Sequence, residues 1–273
     1  MTLSSADFEY IAKLVKDEAG ITLDKGKEYL VQSRVEPVAK SLGFENITSL
    51  VSHLQREADR SRRRRVVESL TTHETSFFRD IEPFEALRTK VLPELLDLRA
   101  SAKELSIWCG AASSGQEPYS LCMLLRESFP ELADWRLKFH ATDVSGHILE
   151  KARTASFNQI EVNRGLPIKL LAKYFEKKGQ DWVLKPQVAQ MVRFSEFNLL
   201  APFSVLAPAD LVMLRNVLIY FDIETKKQIL RKVYDLLKPG GYLFLGTAET
   251  TLGLCDEFER ITFEKTSCYK KRG

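Results

Sequence analysis

The chain has 273 residues, which at about 150 residues per domain predicts one large domain with a smaller one beside it. Because 44% of the residues are hydrophobic and 28% are charged, the chain can build an ordinary core, so disorder as the main state is excluded. Its 40 basic and 37 acidic residues leave a net charge of only +3, which is too small to argue by itself for a nucleic-acid-binding protein. Any basic binding surface must therefore be local.

The first part of the chain predicts a small all-helical domain over residues 1–70. Apolar side chains recur there at helical spacing, and no strand pattern interrupts them. Capping residues and helix breakers set the ends of three helices. The predicted helices run from a cap at Ser4 or Ser5 to Gly20, from about Lys25 to Ser41 with Pro37 as a kink or break, and from Asn46 to Glu57.

From Leu105 onward, apolar segments of strand length alternate with helical segments, which predicts an α/β fold with a doubly wound, mostly parallel sheet. Helices are expected over Glu117 to Glu127, after a cap at Ser145, and over Ile223 to Leu237. The interval at about 157–192 is too long for a simple crossover and predicts an inserted subdomain. The predicted strands are Leu105–Cys109, Leu137–Asp143, Met191–Phe197, Asp210–Leu214 and Gly241–Gly246, followed by a hairpin of Arg260–Glu264 and Ser267–Lys271.

No metal site, disulfide framework or targeting segment is evident. The four cysteines form no C-x-x-C pair, and the four histidines do not cluster with them. The N-terminal residues carry Asp7 and Glu9 and lack the apolar region of a signal peptide, and no later apolar run approaches about 18 residues. We therefore expect a cytoplasmic protein that is not inserted in a membrane.

The turn from Cys109 to Glu117 lies between a predicted strand and a helix, where open α/β sheets bind nucleotide-like ligands. Its sequence is not a phosphate loop, because Gln116 and Glu117 occupy the positions of the required lysine and hydroxyl residue. A glutamate in the first helical turn favours a ligand with a positively charged group, such as an amine. The alternative is a turn of small residues that only packs a strand against a helix.

Polar residues also follow the later strands. Asp143 can accept the hydroxyls of a ribose, although a helix cap is an equal alternative. Asn198 and Leu199 are suited to the edge and face of an adenine ring. Arg215 and Asn216 interrupt an apolar stretch, where unpartnered polar groups are costly, so a functional role is favoured. Together these residues fit an adenosyl ligand bound across neighbouring strand ends.

The hydroxyl-rich segment from Thr71 to Asp80 joins the helical region to the sheet and is well placed to close over such a ligand. Its Phe77 and Phe78 can equally be packing residues. By spacing alone, Tyr220 is a core aromatic residue.

With these segments assembled, the chain resembles the CheR family of chemotaxis receptor methyltransferases, which methylate protein glutamates with S-adenosylmethionine. The similarity covers nearly the whole chain, and several long motifs occur in the family's order. They are Thr71 to Arg79, Trp108 to Ser120, Ala141 to Asp143, Phe197 to Leu200, Arg215 to Phe221 and Leu237 to Phe244.

The resemblance implies an N-terminal helical domain (1–70), a linker with cofactor contacts (71–90) and a methyltransferase domain (91–273) that carries a small inserted β-subdomain. It implies S-adenosylmethionine as the cofactor, S-adenosylhomocysteine as its product, and no metal. Where many relatives have asparagine, this chain has His73. The implied cofactor contacts are His73, Thr75, Arg79, Glu117, Asp143, Asn198, Leu199, Arg215 and Asn216.

By the same resemblance, Arg79 and Tyr220 lie nearest the transferred methyl group and are the candidate catalytic residues. An ionised glutamate is already a nucleophile at neutral pH, so no general base is needed. Catalysis is then expected to consist mostly of positioning. Arg79 is predicted to orient a carboxylate, and Tyr220 to line the methyl passage.

The implied partner is the cytoplasmic coiled coil of methyl-accepting chemotaxis receptors. For the protein itself we expect a monomer. Two sets of basic residues are candidates for steering an acidic partner: the run from Arg56 to Arg65, and the set of Lys25, Lys27, Arg34 and Lys40. The alternative is that these residues only form a solvated helix face. Two other functions stay open at this stage. One is a non-catalytic adaptor that binds the adenosyl cofactor, and the other is a nucleic-acid methyltransferase.

Overall fold

The computed structural model describes residues 3–263 and 265–272 of the chain, which form two compact units. The helical unit comprises the residues up to Thr72 together with Tyr220–Thr225. The sheet unit comprises His73–Ile219 and the chain from Lys226 onward. The boundaries of the three predicted domains, 1–70, 71–90 and 91–273, stay predictions.

Four helices build the helical unit: α1 (Ser5–Ala19), α2 (Glu28–Ser41), α3 (Ile47–Arg56) and α4 (Arg60–Leu70). Ser4 caps α1 by accepting a hydrogen bond from the Asp7 N–H, and Gly20 ends it in the left-handed conformation at φ 75°. Asn46 caps α3 in the same way as Ser4 caps α1. One apolar face of each helix, including Ile11, Val35, Leu50 and Val66, lies in a common core.

Of the kink or break predicted at Pro37, the break is wrong, because α2 is continuous through that residue, and the kink stays a prediction. A proline inside a helix removes one backbone hydrogen bond. Val31, Val35 and Ala39 lie on either side of it and are fully buried in the core of the helical unit. The packing of this face outweighs the lost hydrogen bond.

The sheet unit holds ten strands and eight further helices, counted over the part of the chain that the structure describes. The strands are β1 (Glu104–Gly110), β2 (Arg136–Asp143), β3 (Ser156–Phe157), β4 (Phe175–Lys178), β5 (Asp181–Leu184), β6 (Arg193–Glu196), β7 (Ala209–Leu214), β8 (Leu237–Leu245), β9 (Glu259–Phe263) and β10 (Thr266–Lys270). The helices are α5 (Ile81–Ala86), α6 (Leu92–Arg99), α7 (Gln116–Ser128), α8 (Gly146–Thr154), α9 (Gln159–Asn163), α10 (Ile168–Tyr174), α11 (Pro186–Ala189) and α12 (Ile223–Leu236), of which α12 begins in the segment assigned to the helical unit.

Seven strands form one sheet in the order β6-β2-β1-β7-β8-β10-β9. The first five are parallel, and β10 and β9 add an antiparallel hairpin at one edge. From β1 the sheet extends through β2 to β6 on one side and through β7 to β8 on the other, so the order of strand addition reverses between β1 and β7. This is the switch point at which open α/β sheets bind ligands. The predicted α/β fold is therefore confirmed, with Glu264 of the predicted hairpin outside the described residues.

The predicted insertion is a small subdomain in which β3, β5 and β4 form a separate antiparallel sheet. In the sequence, helices α9 and α10 lie between β3 and β4, and α11 follows β5. Phe157, Phe175 and Leu184 are buried and belong to the same core as the main sheet.

Two stretches differ from the sequence-based expectation. Residues 237–240, expected to hold the end of the helix at Leu237 and the break before the strand at Gly241, instead form the first part of β8. Leu237 pairs with Ala209, and a register shift separates this pair from the pair of Leu211 and Tyr242. No element is predicted for residues 81–99, yet α5 and α6 lie there and are joined by a π-helical turn at Leu87–Val91. Their buried leucines complete one face of the sheet core.

No helix in the described part of the chain combines the length and the apolar character needed to cross a bilayer. Among the same residues, no group of three or more histidine, cysteine, aspartate or glutamate side chains is arranged to hold a metal ion.

Candidate functional site

The predicted cofactor residues of the sheet unit follow the carboxyl ends of its parallel strands. The turn before Glu117 follows β1, Asp143 ends β2, and Arg215 follows β7. Because β2, β1 and β7 are adjacent and parallel, these ends lie at one edge of the sheet. The candidate site is therefore at this edge.

The turn after β1 is held in an unusual backbone conformation. Ala111 and Ser113 have positive φ angles of 54° and 51°, although neither is glycine. The Ala112 N–H donates to the carbonyl of Thr142 at 2.9 Å, which ties the turn to the end of β2. Left-handed conformations of non-glycine residues persist only where the surroundings enforce them, and they cluster at functional sites.

Asp143 anchors this turn. Its side chain is 5% exposed, and its two oxygens accept hydrogen bonds from the Ser113 N–H at 2.9 Å and the Ser145 N–H at 3.0 Å. Burial raises the pKa of this carboxyl above its usual value, against the opposing effect of these backbone donors. The cap of α8 is Ser145, which accepts from the Ile148 N–H, so the cap role proposed as an alternative for Asp143 belongs to Ser145.

Arg215 is the centre of a buried charge network. Its side chain is only 1% exposed, and its guanidinium donates to the carboxylate of Glu117 at 2.8 Å and to that of Asp80 at 2.9 Å. It also donates to the backbone carbonyl of Arg79 at 2.9 Å, whereas its Nε has no partner. Arg215 thus links the turn after β1 to the 73–80 segment.

Cys109, at the end of β1, donates its thiol hydrogen to the second oxygen of Glu117 at 3.2 Å. Burial and the adjacent Glu117 carboxylate raise the pKa of this thiol well above its usual value. The thiol is therefore a neutral donor that helps to orient Glu117.

The segment from His73 to Asp80 lies along this edge of the sheet unit. The Ser113 hydroxyl donates to the carbonyl of His73 at 2.8 Å, and the Phe78 N–H donates to the hydroxyl of Ser120 at 2.9 Å. Arg79 is half-buried and donates to the carbonyl of Glu74 at 3.0 Å. Phe78 and Asp80 have left-handed φ angles of 46° and 53°, and Thr75 lies partly exposed between His73 and Phe78. The structure thus brings His73 and Arg79 into the same segment as the network around Arg215.

Asn216 is held by Glu249, a residue that the sequence pattern does not indicate. Its backbone is left-handed at φ 58°, and its N–H donates to the Glu249 carboxylate at 2.8 Å. The same carboxylate accepts from the N–H groups of Gly246 at 2.6 Å and Ile219 at 3.3 Å. Glu249 thus fixes the backbone that follows β7 and the end of β8.

Asn198 and Leu199 follow β6 at the same edge. The Asn198 side-chain oxygen accepts from the Leu200 N–H at 2.9 Å, which closes a local turn. Leu199 is 8% exposed. The residues before and after the turn, Phe197 and Phe203, pack against Trp108 of β1 with ring centroids 6.2 and 5.2 Å away.

Tyr220 belongs to the helical unit, unlike the other predicted site residues. Its carbonyl accepts a hydrogen bond from the Thr22 N–H at 2.9 Å, and the neighbouring Phe221 pairs with Ile21. The ammonium of Lys16 binds the Asp222 carboxylate at 2.9 Å and thereby lowers the pKa of that carboxyl. The role of Tyr220 beside the methyl group stays a prediction.

A cavity of about 720 Å³ opens beside the end of β8 and the β9–β10 hairpin. Its lining includes Asp80, Thr247, Arg260 and Lys265. Because Asp80 also binds Arg215, the cavity adjoins the charge network.

The residues at this edge fit S-adenosylmethionine. Carboxylate oxygens such as those of Asp143 can accept hydrogen bonds from ribose hydroxyls, and a carboxylate such as that of Glu117 can bind an ammonium group. Both carboxylates are largely buried and lie at adjacent strand ends, as a single extended ligand requires.

Both parts of the chain match known protein families. Residues 6–71 match the CheR methyltransferase all-alpha domain, and residues 73–267 match the CheR methyltransferase SAM binding domain. A chemotaxis protein methyltransferase of Pseudomonas putida is 39% identical over 96% of each chain, and one of Pseudomonas aeruginosa is 38% identical over 100% of each chain. A chemotaxis protein methyltransferase of Vibrio parahaemolyticus is 34% identical over 99% of this chain and 98% of its own.

Proposed function

The chain belongs to the CheR methyltransferase family, and on that premise we propose that it methylates glutamate side chains in the cytoplasmic region of chemotaxis receptors. The products are glutamyl methyl esters, which serve sensory adaptation, and S-adenosylhomocysteine. We propose that the protein works in the cytoplasm as a monomer, on a protein substrate and not on nucleic acid.

The observation that carries this proposal is the network in which Arg215 holds Glu117 next to the turn anchored by Asp143. This network fixes two carboxylates before any ligand arrives, so little reorganisation is needed on binding. Nothing favours the alternative of a non-catalytic adaptor, and the family supports a transfer enzyme.

When bound, S-adenosylmethionine supplies a methyl group on a positively charged sulfur. The task of the chain is to orient the acceptor carboxylate towards that methyl group and to exclude water. Arg79 is suited to orienting a carboxylate because a guanidinium can donate two parallel hydrogen bonds to it. We propose that the acceptor approaches through the cavity beside β8, whose lining includes Arg260 and Lys265 as well as the carboxylates of Asp80, Glu82 and Glu249. Arg215 pairs with Asp80, and backbone N–H groups donate to Glu249, so both carboxylates already have partners.

The decisive experiment uses S-adenosylmethionine with a radiolabelled methyl group and membranes that contain chemotaxis receptors. We expect label in the receptor band and its release as volatile methanol after alkali treatment, because carboxyl methyl esters hydrolyse in alkali. Label that resists alkali, or that enters nucleic acid, would contradict glutamate esterification. Binding of the cofactor without any transfer would identify an adaptor instead.

Replacing Arg79 with alanine is expected to lower the receptor methylation rate at least about 100-fold, because catalysis by positioning is sensitive to small misplacements. The melting temperature should change little, since Arg79 is half-buried and makes one hydrogen bond to a backbone carbonyl. Arg88→Ala is the matched control, because Arg88 is exposed and pairs with Glu85 on the same helical stretch. A near wild-type rate for Arg79→Ala would remove Arg79 from the catalytic residues.

We propose that the basic surface of the helical unit docks the acidic receptor. In the Arg56–Arg65 run, Arg62 pairs with Asp59 and Arg64 pairs with Glu68, which reduces the charge that these arginines present to a partner. In the second basic set, which consists of Lys25, Lys27, Arg34 and Lys40, the Arg34 guanidinium donates to the carbonyls of Leu70 and Thr71. The two sets can be compared by charge reversal.

Lysine-to-glutamate changes at Lys25 and Lys27, and separately arginine-to-glutamate changes at Arg60 and Arg65, are the two test variants. Reversal in the docking set should raise the KM for receptor and weaken the salt dependence of the rate, with the Kd of S-adenosylhomocysteine unchanged. Receptor methylation rates measured at two salt concentrations show which of the two sets docks the receptor. Unchanged kinetics in both variants would show that neither set does.

A further inference from the structure

The turn at residues 198–201 has no regular secondary structure of its own. The Ala201 N–H donates to the carbonyl of Asn198 at 2.9 Å, and the Asn198 side chain binds the Leu200 N–H. These local bonds leave the remaining carbonyls of the turn in need of partners elsewhere.

Lys232 of α12 supplies those partners. Its ammonium donates to the carbonyls of Leu199 at 3.3 Å, Leu200 at 2.8 Å and Ala201 at 3.1 Å. An ammonium has three hydrogens to donate, so the three carbonyls match its full capacity. The nitrogen also lies 5.5 Å from the ring centroid of Phe203, the aromatic residue that follows the turn.

This arrangement is costly for the lysine. Its side chain is half-buried, and burial lowers the pKa of the ammonium. Over residues 3–263 and 265–272, no carboxylate forms a salt bridge with it, so its charge is stabilised by backbone dipoles and the Phe203 ring. A half-buried charge with these partners orders the backbone that supplies them.

We propose that Lys232 is a positioning residue for cofactor binding, which fixes the 198–201 backbone so that Asn198 and Leu199 are preorganised for an adenine ring. Rigid ordering before binding lowers the entropic cost that the ligand otherwise has to offset. The inference depends on the proposed placement of adenine beside Asn198 and Leu199, and the experiment below separates the two.

The test is the variant Lys232→Met, which keeps most of the aliphatic stem and removes the ammonium. Loss of three charge-assisted hydrogen bonds is expected to raise the Kd of S-adenosylhomocysteine, measured by calorimetry, by roughly tenfold. The KM for S-adenosylmethionine should rise by a similar factor, with kcat within about twofold of wild type, because the chemistry lies at the other end of the ligand. Lys232→Arg should recover part of the affinity, because it keeps the charge and the donors.

The matched control is Lys226→Met on the same helix, since Lys226 donates no hydrogen bond to the turn in the described structure. Wild-type affinity for Lys232→Met would overturn the inference, as would an equal loss of kcat and affinity without recovery in Lys232→Arg. The variants Asn198→Ala and Leu199→Ala test the underlying placement. If both bind S-adenosylhomocysteine normally, the adenine placement fails; if both bind weakly while Lys232→Met binds normally, the inference about Lys232 fails alone.

Discussion

Replacing Arg215 with methionine is expected to abolish binding of S-adenosylhomocysteine and to lower the free energy of unfolding by about 3–5 kcal/mol, the usual cost of breaking a buried ion pair from one side. The guanidinium is almost fully buried, and without it the Glu117 carboxylate, itself 13% exposed, loses its charged partner. The bonds from Arg215 to the Arg79 carbonyl and the Asp80 carboxylate are lost as well. Urea unfolding and calorimetry measure the two effects separately.

The double variant Arg215→Met/Glu117→Gln distinguishes stability from function. With the uncompensated carboxylate removed, part of the lost free energy of unfolding should return. Ligand binding should not return, because the carboxylate proposed for the ammonium group is also gone. Wild-type binding by Arg215→Met would contradict the role of this network. If the double variant recovers no stability, the loss in Arg215→Met is not caused by the unpaired carboxylate of Glu117.

Gly165→Ala is expected to have the largest effect of any glycine-to-alanine change in the inserted subdomain. Gly165 has a left-handed φ of 88°, and a Cβ built there lies only 2.0 Å from the backbone carbonyl oxygen of Phe77. A backbone atom cannot be displaced cheaply, so the segment that carries His73 and Arg79 has to move. We expect a clear loss of thermal stability together with at least about a 100-fold drop in methylation rate, since small displacements of positioning groups cost about that much.

Gly179→Ala is the matched control for Gly165→Ala. Gly179 lies in the same subdomain and also has a left-handed backbone, at φ 63°, but nothing lies within 4 Å of a Cβ built there. This variant should incur only the backbone penalty of about 1–2 kcal/mol and keep the wild-type methylation rate. Equal effects of the two substitutions would refute the contact with Phe77 as the cause.

The features encoded by short stretches of sequence were predictable. Buried strands such as β1 and β7 are short apolar segments bounded by turn residues, and Ser4, Gly20 and Ser145 act at the helix ends where their side-chain chemistry places them. The turn before Glu117 was identifiable because a strand, small residues and an acidic helix start follow one another directly.

The features that depend on distant residues were not predictable from the sequence alone. Lys232 binds carbonyls 31 to 33 residues away, and Glu249 binds the N–H groups of Asn216 and Ile219, 33 and 30 residues away. No local pattern marks a residue whose partners lie on another element. The helical stretch at 81–99 contains Pro83 and Pro93, which favour reading it as irregular chain. Burial of its leucines against the sheet decides its conformation.

The uneven distribution of left-handed backbone has a consequence for how this protein tolerates mutation. Of the seven non-glycine residues with positive φ in the described chain, five lie in the loops of the candidate site, namely Phe78, Asp80, Ala111, Ser113 and Asn216. Each such residue costs of order 1–3 kcal/mol, which must be offset by packing elsewhere in the sheet unit. Substitutions that weaken the distant core therefore reduce the margin that keeps these loops in place, and activity should decline before the fold is lost.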